Sequence, residues 1–484
     1  MKQAKKWQSL LYAGCAVALA AFAPLATAQQ YNVRLDVPKQ VIWGLGVEIQ
    51  SDSIGSGNNG LPTATTSVPH DLTASERSRL ATDLIGRGYG FRYIRLAGGL
   101  YLRGLRNDGK NLDGRWPEQL PELATLIQQS GVEGVNLEYW SPPPAWKSTD
   151  SYIGGSLKQF DATFLGQFGD AVVGDIDHLQ ANGIPVVQFG LQNEAPHSAT
   201  LPYSHCYYTD SQYVAAYNAV AAKVRAAHPD IHLHANSWDG QKREALRNGL
   251  DMNLVDAWTW HRIGYNSNDQ IDNAAMFNAN RMGKAVYNNE FEYLSGGTSE
   301  ARMMNTAQSI MNWFTFVDSP TWYWLHALKP TYNSEAEGYA LGYWRPADDT
   351  DFSKFAHIQP GHFDYELRNW RAIVGFLEWM PWNSQRYQVD EPLFTDSNGV
   401  SRPYKDKRIL AFRQGGPGGK LVVVLTNRDA ATPTYTFNIN FGSTGSFKGY
   451  RYRVNQWKQA LTTVSGPVAA INVPTNSIEF WVQQ

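Results

Sequence analysis

Two glutamates in this chain stand where a side chain can do chemistry. Glu194 follows the apolar run IPVVQFGLQN and Glu290 follows KAVYNN. If both runs are parallel strands of one closed sheet, both carboxyls project from the same C-terminal mouth. A facing pair of this kind suits cleavage of a glycosidic bond, in which an acid protonates the departing oxygen while a carboxylate attacks or stabilises the anomeric carbon. The competing reading is two ordinary surface carboxylates on loops, which their strand-end placement and polar flanks disfavour. Three other groups need weighing. Glu292 alternates with Glu290, so on a continuing strand it faces the same way and is a rival nucleophile. His232 and His234 also share a face, but no third ligand of suitable spacing accompanies them, so no metal site is expected. Cys206 has nothing near it in sequence that would activate a thiol.

Positioning two distant glutamates at one mouth requires a particular set of elements. From residue 41 onward short apolar runs alternate with longer amphipathic ones, the pattern of a parallel sheet covered by helices. The predicted strands are 41–49, 91–97, 134–140, 184–191, 231–237, 255–263, 284–291 and 321–328. The clearest helix is LTASERSRLATDLIGRG (72–88), with Thr73 and Glu76 as a capping box and glycines at its end. Others are expected near 117–129, 161–181, 210–227, 240–249, 269–281, 299–317 and 363–378. Eight strands alternating with eight helices predict a (β/α)8 TIM barrel over 41–383. An open doubly wound sheet is the alternative, and a closed parallel barrel has the advantage over it of leaving no edge strand to protect.

Beyond about residue 384 the runs become short, β-branched and aromatic, separated by Gly, Pro, Asn and Ser, which predicts a C-terminal all-β sandwich domain over 384–484. GGPGG (415–419) lies between two of these strands and reads as a hairpin connection. Residues 29–40 form a strand outside the barrel count that can return to pair with this domain.

The chain has 484 residues, too many for one ordinary core, and 42 Lys+Arg against 44 Asp+Glu, a net charge of -2 that offers no case for nucleic acid or an anionic membrane. Its 43% apolar and 18% charged residues exclude a disordered chain, and the 13% aromatic content suits stacking on sugar faces, with core packing alone as the competing explanation. Residues 1–28 carry Lys2, Lys5 and Lys6, an apolar stretch too short to span a bilayer, and Ala26, Thr27 and Ala28 at its end, which together predict a cleaved secretory signal. A lipoprotein reading at Cys15 is weaker, because Tyr12 stands where Leu is expected. Cleavage leaves Cys206 alone, so no intramolecular disulfide is expected.

At LQNEAP (191–196) and GKAVYNNEF (283–291) the sequence resembles the retaining glycoside hydrolases of clan A, most closely family 30. The resemblance implies that Glu194 is the acid/base and Glu290 the nucleophile. YWSPPPAWK (139–147) is similar to the family's strand-three segment, FRYIRLA places Arg95 at its strand-two arginine and DAWTWHRIGY places His261 at its strand-six histidine. The chain departs from the pattern at Ala195, between Gly46 and His70, and in the long stretch from Lys329 to Gln359. Clan A galactanases of the agarase and porphyranase type carry the same Asn-Glu signature.

On this reading Asn193 hydrogen-bonds the sugar 2-hydroxyl and Arg95 keeps Glu290 ionised, while Trp140, Trp146, Trp238, Trp260, Trp324 and Tyr287 are candidates for the stacking floor. The expected protein is a secreted monomer acting inside a polysaccharide or on an oligosaccharide, with no cofactor or metal and no nucleic-acid or membrane partner. Xylan, β-1,6-glucan and β-galactans all fit, and Lys329 and Arg345 hint at an acidic substituent. The rival class is a carbohydrate-binding protein that keeps the cleft without the chemistry.

Overall fold

The computed structural model describes residues 30–49, 72–98, 104–105, 112–113, 119–196, 200–201, 204–238, 244–293, 300–331, 340–345, 355–395, 397 and 399–484. The signal predicted over 1–28, most of the segment between Gly46 and His70, and much of the stretch from Lys329 to Gln359 lie outside the described residues.

Eight parallel strands form the barrel: β1 (Gly44–Ile49), β2 (Tyr93–Gly98), β3 (Gly134–Tyr139), β4 (Val186–Gly190), β5 (His232–Trp238), β6 (Ala257–Trp260), β7 (Ala285–Tyr287) and β8 (Thr321–Trp324). Neighbours in sequence are neighbours in the sheet, and β8 returns to pair with β1. The remaining seam is closed by a bridge between Asn288 and Trp322, with the Tyr323 N–H donating to the Asn288 carbonyl at 3.0 Å. Strands β1, β2 and β3 are buried at every position, as expected when one face fills the barrel and the other meets helices. The last predicted strand is shorter than the run 321–328. It breaks at Leu325, and His326–Pro330 leaves the barrel to pair in parallel with Ala340–Trp344.

One main helix follows each strand: α1 (Ala74–Arg79), α2 (Gln119–Ser130), α3 (Ala162–Ala181), α4 (Asp210–Ala227), α5 (Glu244–Gly249), α6 (Ala274–Asn280), α7 (Glu300–Phe316) and α8 (Leu367–Trp379). Asp161 caps α3 by accepting from the Thr163 and Phe164 N–H groups, each at 3.0 Å. A full capping box opens α4, between Thr209 and Gln212. At α1 the predicted box is only half made. Thr73 accepts from the Glu76 N–H, but the Glu76 carboxylate turns to Arg79 at 2.6 Å and to the Phe363 N–H at 3.1 Å. The helix then widens into a π-helical turn, Leu80–Ile85, before Gly86.

The C-terminal domain contains β9 (Ser384–Asp390), β10 (Lys407–Arg413), β11 (Leu421–Asn427), β12 (Thr434–Asn440), β13 (Ser446–Arg453), β14 (Gln456–Ala460), β15 (Val468–Pro474) and β16 (Ser477–Gln483). With the N-terminal strand Gln30–Ile42 they form one continuous sheet, in the order β14-β13-β16-β11-β10-β9, N-terminal strand, β12-β15. Val473 of β15 and Trp481 of β16 lie far apart in that order yet share one apolar cluster with Phe437 and Phe447, so the sheet folds over to make two layers. GGPGG joins the antiparallel pair β10 and β11. This domain is fixed to the barrel through α7 and α8: Gln308 donates to Thr426 at 3.0 Å, Arg408 to Asn312 at 2.9 Å, and Phe376 meets Phe480 edge to face at 5.2 Å.

Close packing inside the barrel gives one prediction. A Cβ on Gly190 of β4 would lie 2.1 Å from Cε1 of His234, whose ring is fully buried and bonded to Asn136 at 2.7 Å. Gly190→Ala is expected to destabilise the protein by about 1–3 kcal/mol, and a melting curve matching wild type would contradict this packing.

Candidate active site

The C-terminal mouth of the barrel is organised by one fully buried guanidinium, Arg95 of β2. Its Nη1 donates to Glu48 of β1 at 2.6 Å and to Glu290 at 2.5 Å. Nε and Nη2 reach Glu138 of β3 at 3.0 and 2.5 Å, and Nη2 also holds the Asn193 carbonyl oxygen at 2.6 Å. Three carboxylates on one guanidinium leave the group with an excess of negative charge, and their field raises the Arg95 pKa despite burial. Because Arg95 fixes the Oδ1 end of Asn193, the amide N–H donors at the other end remain, and no described residue accepts from them.

Glu194 stands beyond β4, in a segment still tied into the sheet. The Asn193 N–H donates to the Tyr139 carbonyl at 2.7 Å and the Glu194 N–H to the Ser237 carbonyl at 2.9 Å. Glu194 itself has φ +46°, a left-handed conformation uncommon for a residue with a Cβ and enriched where a side chain must be aimed.

His261, after β6, joins the two glutamates. Its Nδ1 lies 2.9 Å from Glu194 Oε1 and 3.8 Å from Glu290 Oε2, and its Nε2 lies 2.9 Å from Asn289 Oδ1. Asn289 donates its Nδ2 to Glu138 at 3.0 Å, so the oxygen facing His261 is an acceptor and Nε2 carries a hydrogen. One proton is then shared between Nδ1 and Glu194. Burial disfavours the imidazolium, but the Glu290 charge and the bond to Glu194 outweigh it and raise the His261 pKa. Burial also raises the Glu290 pKa, with His261 and Arg95 pulling it down only in part. The Glu194, His261 and Glu290 donor atoms all lie within 4.8 Å of one another.

The mouth therefore brings together Glu194, Glu290, Asn193, Arg95 and His261. Trp140, half-buried after β3, is beside them, its carbonyl accepting from Gln192 at 2.8 Å. Trp238, half-buried at the end of β5, accepts the His261 N–H on its carbonyl. The other four aromatic candidates are elsewhere. Tyr287 is fully buried inside the barrel, stacked at 6.0 Å on Tyr323, because alternation along β7 turns it inward below the mouth. Trp324 points outward from β8 onto Phe291, as does Trp260 of β6 onto Phe277 of α6. Trp146 packs on Phe164 and Phe168 of α3 and anchors its loop.

The rival groups also separate. β7 ends at Tyr287, so the alternation expected of Glu290 and Glu292 does not continue; Glu292 is buried against His326 at 3.0 Å, and burial and Glu290 push its pKa well up. Burial lowers the His234 pKa to about 4, and His232 meets Trp43 edge to face at 4.9 Å. Burial pushes the Cys206 thiol up to about 11, opposite to an activated nucleophile. Lys329 and Arg345 are both buried, and Arg345 donates to the Ile358 carbonyl at 3.0 Å. Sequence reading missed Glu48, Glu138, Ser237 and Asn289. The first two had a signal, since each is an acid near the end of a strand buried on both faces, where an unpaired charge is untenable.

No protein-family model matches the chain, and no curated protein does. Solved structures do. A conserved exported protein from Bacteroides fragilis superposes with a TM-score of 0.72 at 12% identity, over 94% of this chain and 100% of that one. The catalytic domain of the GH30 xylanase C from Talaromyces cellulolyticus gives 0.66 at 14% identity, over 94% and 100%. An endo-β1,6-glucanase gives 0.66 at 15% identity, over 94% of each chain. These likenesses show a shared fold, a barrel with an attached β-domain. Among the described residues no helix is long and apolar enough to cross a membrane.

Proposed function

We propose that the protein is a secreted retaining β-glycoside hydrolase that cuts within a polysaccharide. The observation that carries this reading is the facing of Glu194 and Glu290 across His261, with donor oxygens within 4.8 Å. Carboxyl pairs about 5–5.5 Å apart act by double displacement, whereas inverting pairs are wider by the size of a water molecule. In this reading Glu290, held by Arg95, attacks the anomeric carbon to form a glycosyl-enzyme. Glu194 delivers the proton it shares with His261 to the departing oxygen, then takes one from the water that releases the sugar. The free amide of Asn193 donates to the 2-hydroxyl, a contact that strengthens as the ring gains positive charge. The leader-like residues 1–28 support export, and a polymer too large to import supports action outside the cell.

Xylan, β-1,6-glucan and β-galactans form the first substrate panel, the former two because of what the structural neighbours cut. New reducing ends, with the β-anomer appearing first by NMR, are the expected result. Release of the α-anomer first would overturn the mechanism, and binding without cleavage on every glycan would favour a carbohydrate-binding protein.

The pH profile gives a second test. Glu290 must be ionised, and its raised pKa sets the acid limb above the ordinary glutamate range. The alkaline limb follows loss of the proton shared by Glu194 and His261, above the ordinary imidazole range because the His261 pKa is raised. In His261→Gln the proton rests on a carboxyl alone, so the alkaline limb of kcat/KM is expected to move at least about one pH unit toward acid. An unmoved limb would remove His261 from the proton path.

A further inference from the structure

We propose that Glu194, His261 and Glu290 also form a zinc site, so that Zn2+ occupies the barrel mouth in place of sugar. The donors are one imidazole nitrogen and two carboxylate oxygens, spaced 2.9 Å from His261 to Glu194, 3.8 Å from His261 to Glu290, and within 4.8 Å overall. Tetrahedral zinc with bonds of about 2.0–2.2 Å sets its ligands about 3.3–3.6 Å apart, a spacing these side chains reach by small torsional shifts. The set is the only one of its kind among the described residues.

Its surroundings are those a metal site requires. A ligating histidine is oriented by what its other nitrogen donates to, and here Nε2–H is held by Asn289 Oδ1 at 2.9 Å, turning the Nδ1 lone pair toward both carboxylates. Asn289 is fixed in turn by Glu138, and Glu290 by Arg95 at 2.5 Å. The nearby guanidinium does not repel the cation on balance, because Glu48, Glu138 and Glu290 all contact it. Glu194, with 11% of its side chain exposed, is the edge of the group that meets solvent. On binding, Zn2+ replaces the proton shared by Nδ1 and Oε1, which passes to water. Three protein ligands leave a fourth position for water. An imidazole with two carboxylates suits zinc better than calcium or magnesium, which favour six or more oxygens or a largely hydrated octahedral shell.

The site itself rests on geometry alone; that occupancy inhibits rests on the glycosidase reading. Full-length protein stripped with EDTA is titrated with Co2+, read by its tetrahedral visible bands, and with Zn2+ by calorimetry. One equivalent is expected. Glu194→Gln and His261→Gln, shown to be folded by circular dichroism, are expected to lose at least about 10-fold in affinity, and Asn289→Ala about 10–100-fold. Absence of binding to wild type, or undiminished binding in both ligand variants, would overturn the site. With a cleaved glycan in hand, Zn2+ should raise KM and leave kcat unchanged; a fall in kcat at constant KM would overturn competition at the mouth. If no glycan is cleaved while one Co2+ binds and the variants lose it, the metal site stands and the hydrolase reading falls.

Discussion

Glu290→Gln is expected to lower kcat/KM by at least about 10⁴-fold on every substrate, because without a nucleophile no glycosyl-enzyme forms. Glu194→Gln should behave differently. On a polysaccharide, whose leaving alkoxide needs a proton, the loss is about 10²–10⁴-fold. On an aryl glycoside with an acidic phenol the first step needs no proton, so bond cleavage should remain fast and the glycosyl-enzyme should accumulate as a burst followed by slow turnover. Azide, a nucleophile that needs no general base, should then restore turnover and give a β-glycosyl azide. The opposite pattern, with Glu290→Gln retaining the burst, would exchange the two roles. Glu292→Gln separates the remaining rival, since its carboxyl is bonded to His326 and not to Arg95 and should spare the burst.

Arg95→Met is expected to be the most destabilising single change at the mouth. It leaves Glu48, Glu138 and Glu290 facing one another in a site almost closed to water. Removing one partner from a buried ion pair costs about 3–5 kcal/mol, mainly through the charge left behind. The pH dependence tests the cause. Without the guanidinium the carboxyls bind protons more tightly in the folded than in the unfolded chain, so the variant's stability must fall as pH rises. Its deficit against wild type should therefore be smallest near pH 4 and grow toward neutrality, in thermal melts followed across that range. A deficit independent of pH would mean that lost packing, not charge, is responsible. Arg95→Lys keeps a charge but cannot serve three carboxylates and Asn193 from one planar fork, so it should fall between the two.

The barrel was legible because its strands obey a simple rule. Residues buried on both faces read as continuous apolar runs, and all eight appear close to where periodicity placed them. The ends were less legible. Nothing in the run 321–328 marks the break at Leu325, where backbone bonding to Phe291 replaces barrel pairing. The two central glutamates were readable from strand-end position, but the aromatic floor was not. Trp324 and Tyr287 both sit at strand ends, and only the parity of each strand decides whether a ring faces the mouth, the barrel interior or the helices. Parity depends on register, which a short strand does not declare. Asn289 escaped notice for a related reason: an amide next to a site residue looks like a spacer until its two ends are seen to meet Glu138 and His261.

The strand Gln30–Ile42 lies inside the C-terminal sheet, pairing with β9 on one side and β12 on the other. During synthesis this first strand must wait, unpaired, until almost the entire polypeptide has emerged. Closure of this sheet therefore waits on segments made after the barrel, and a ribosome stalled within the barrel leaves an open sheet edge available to neighbouring chains.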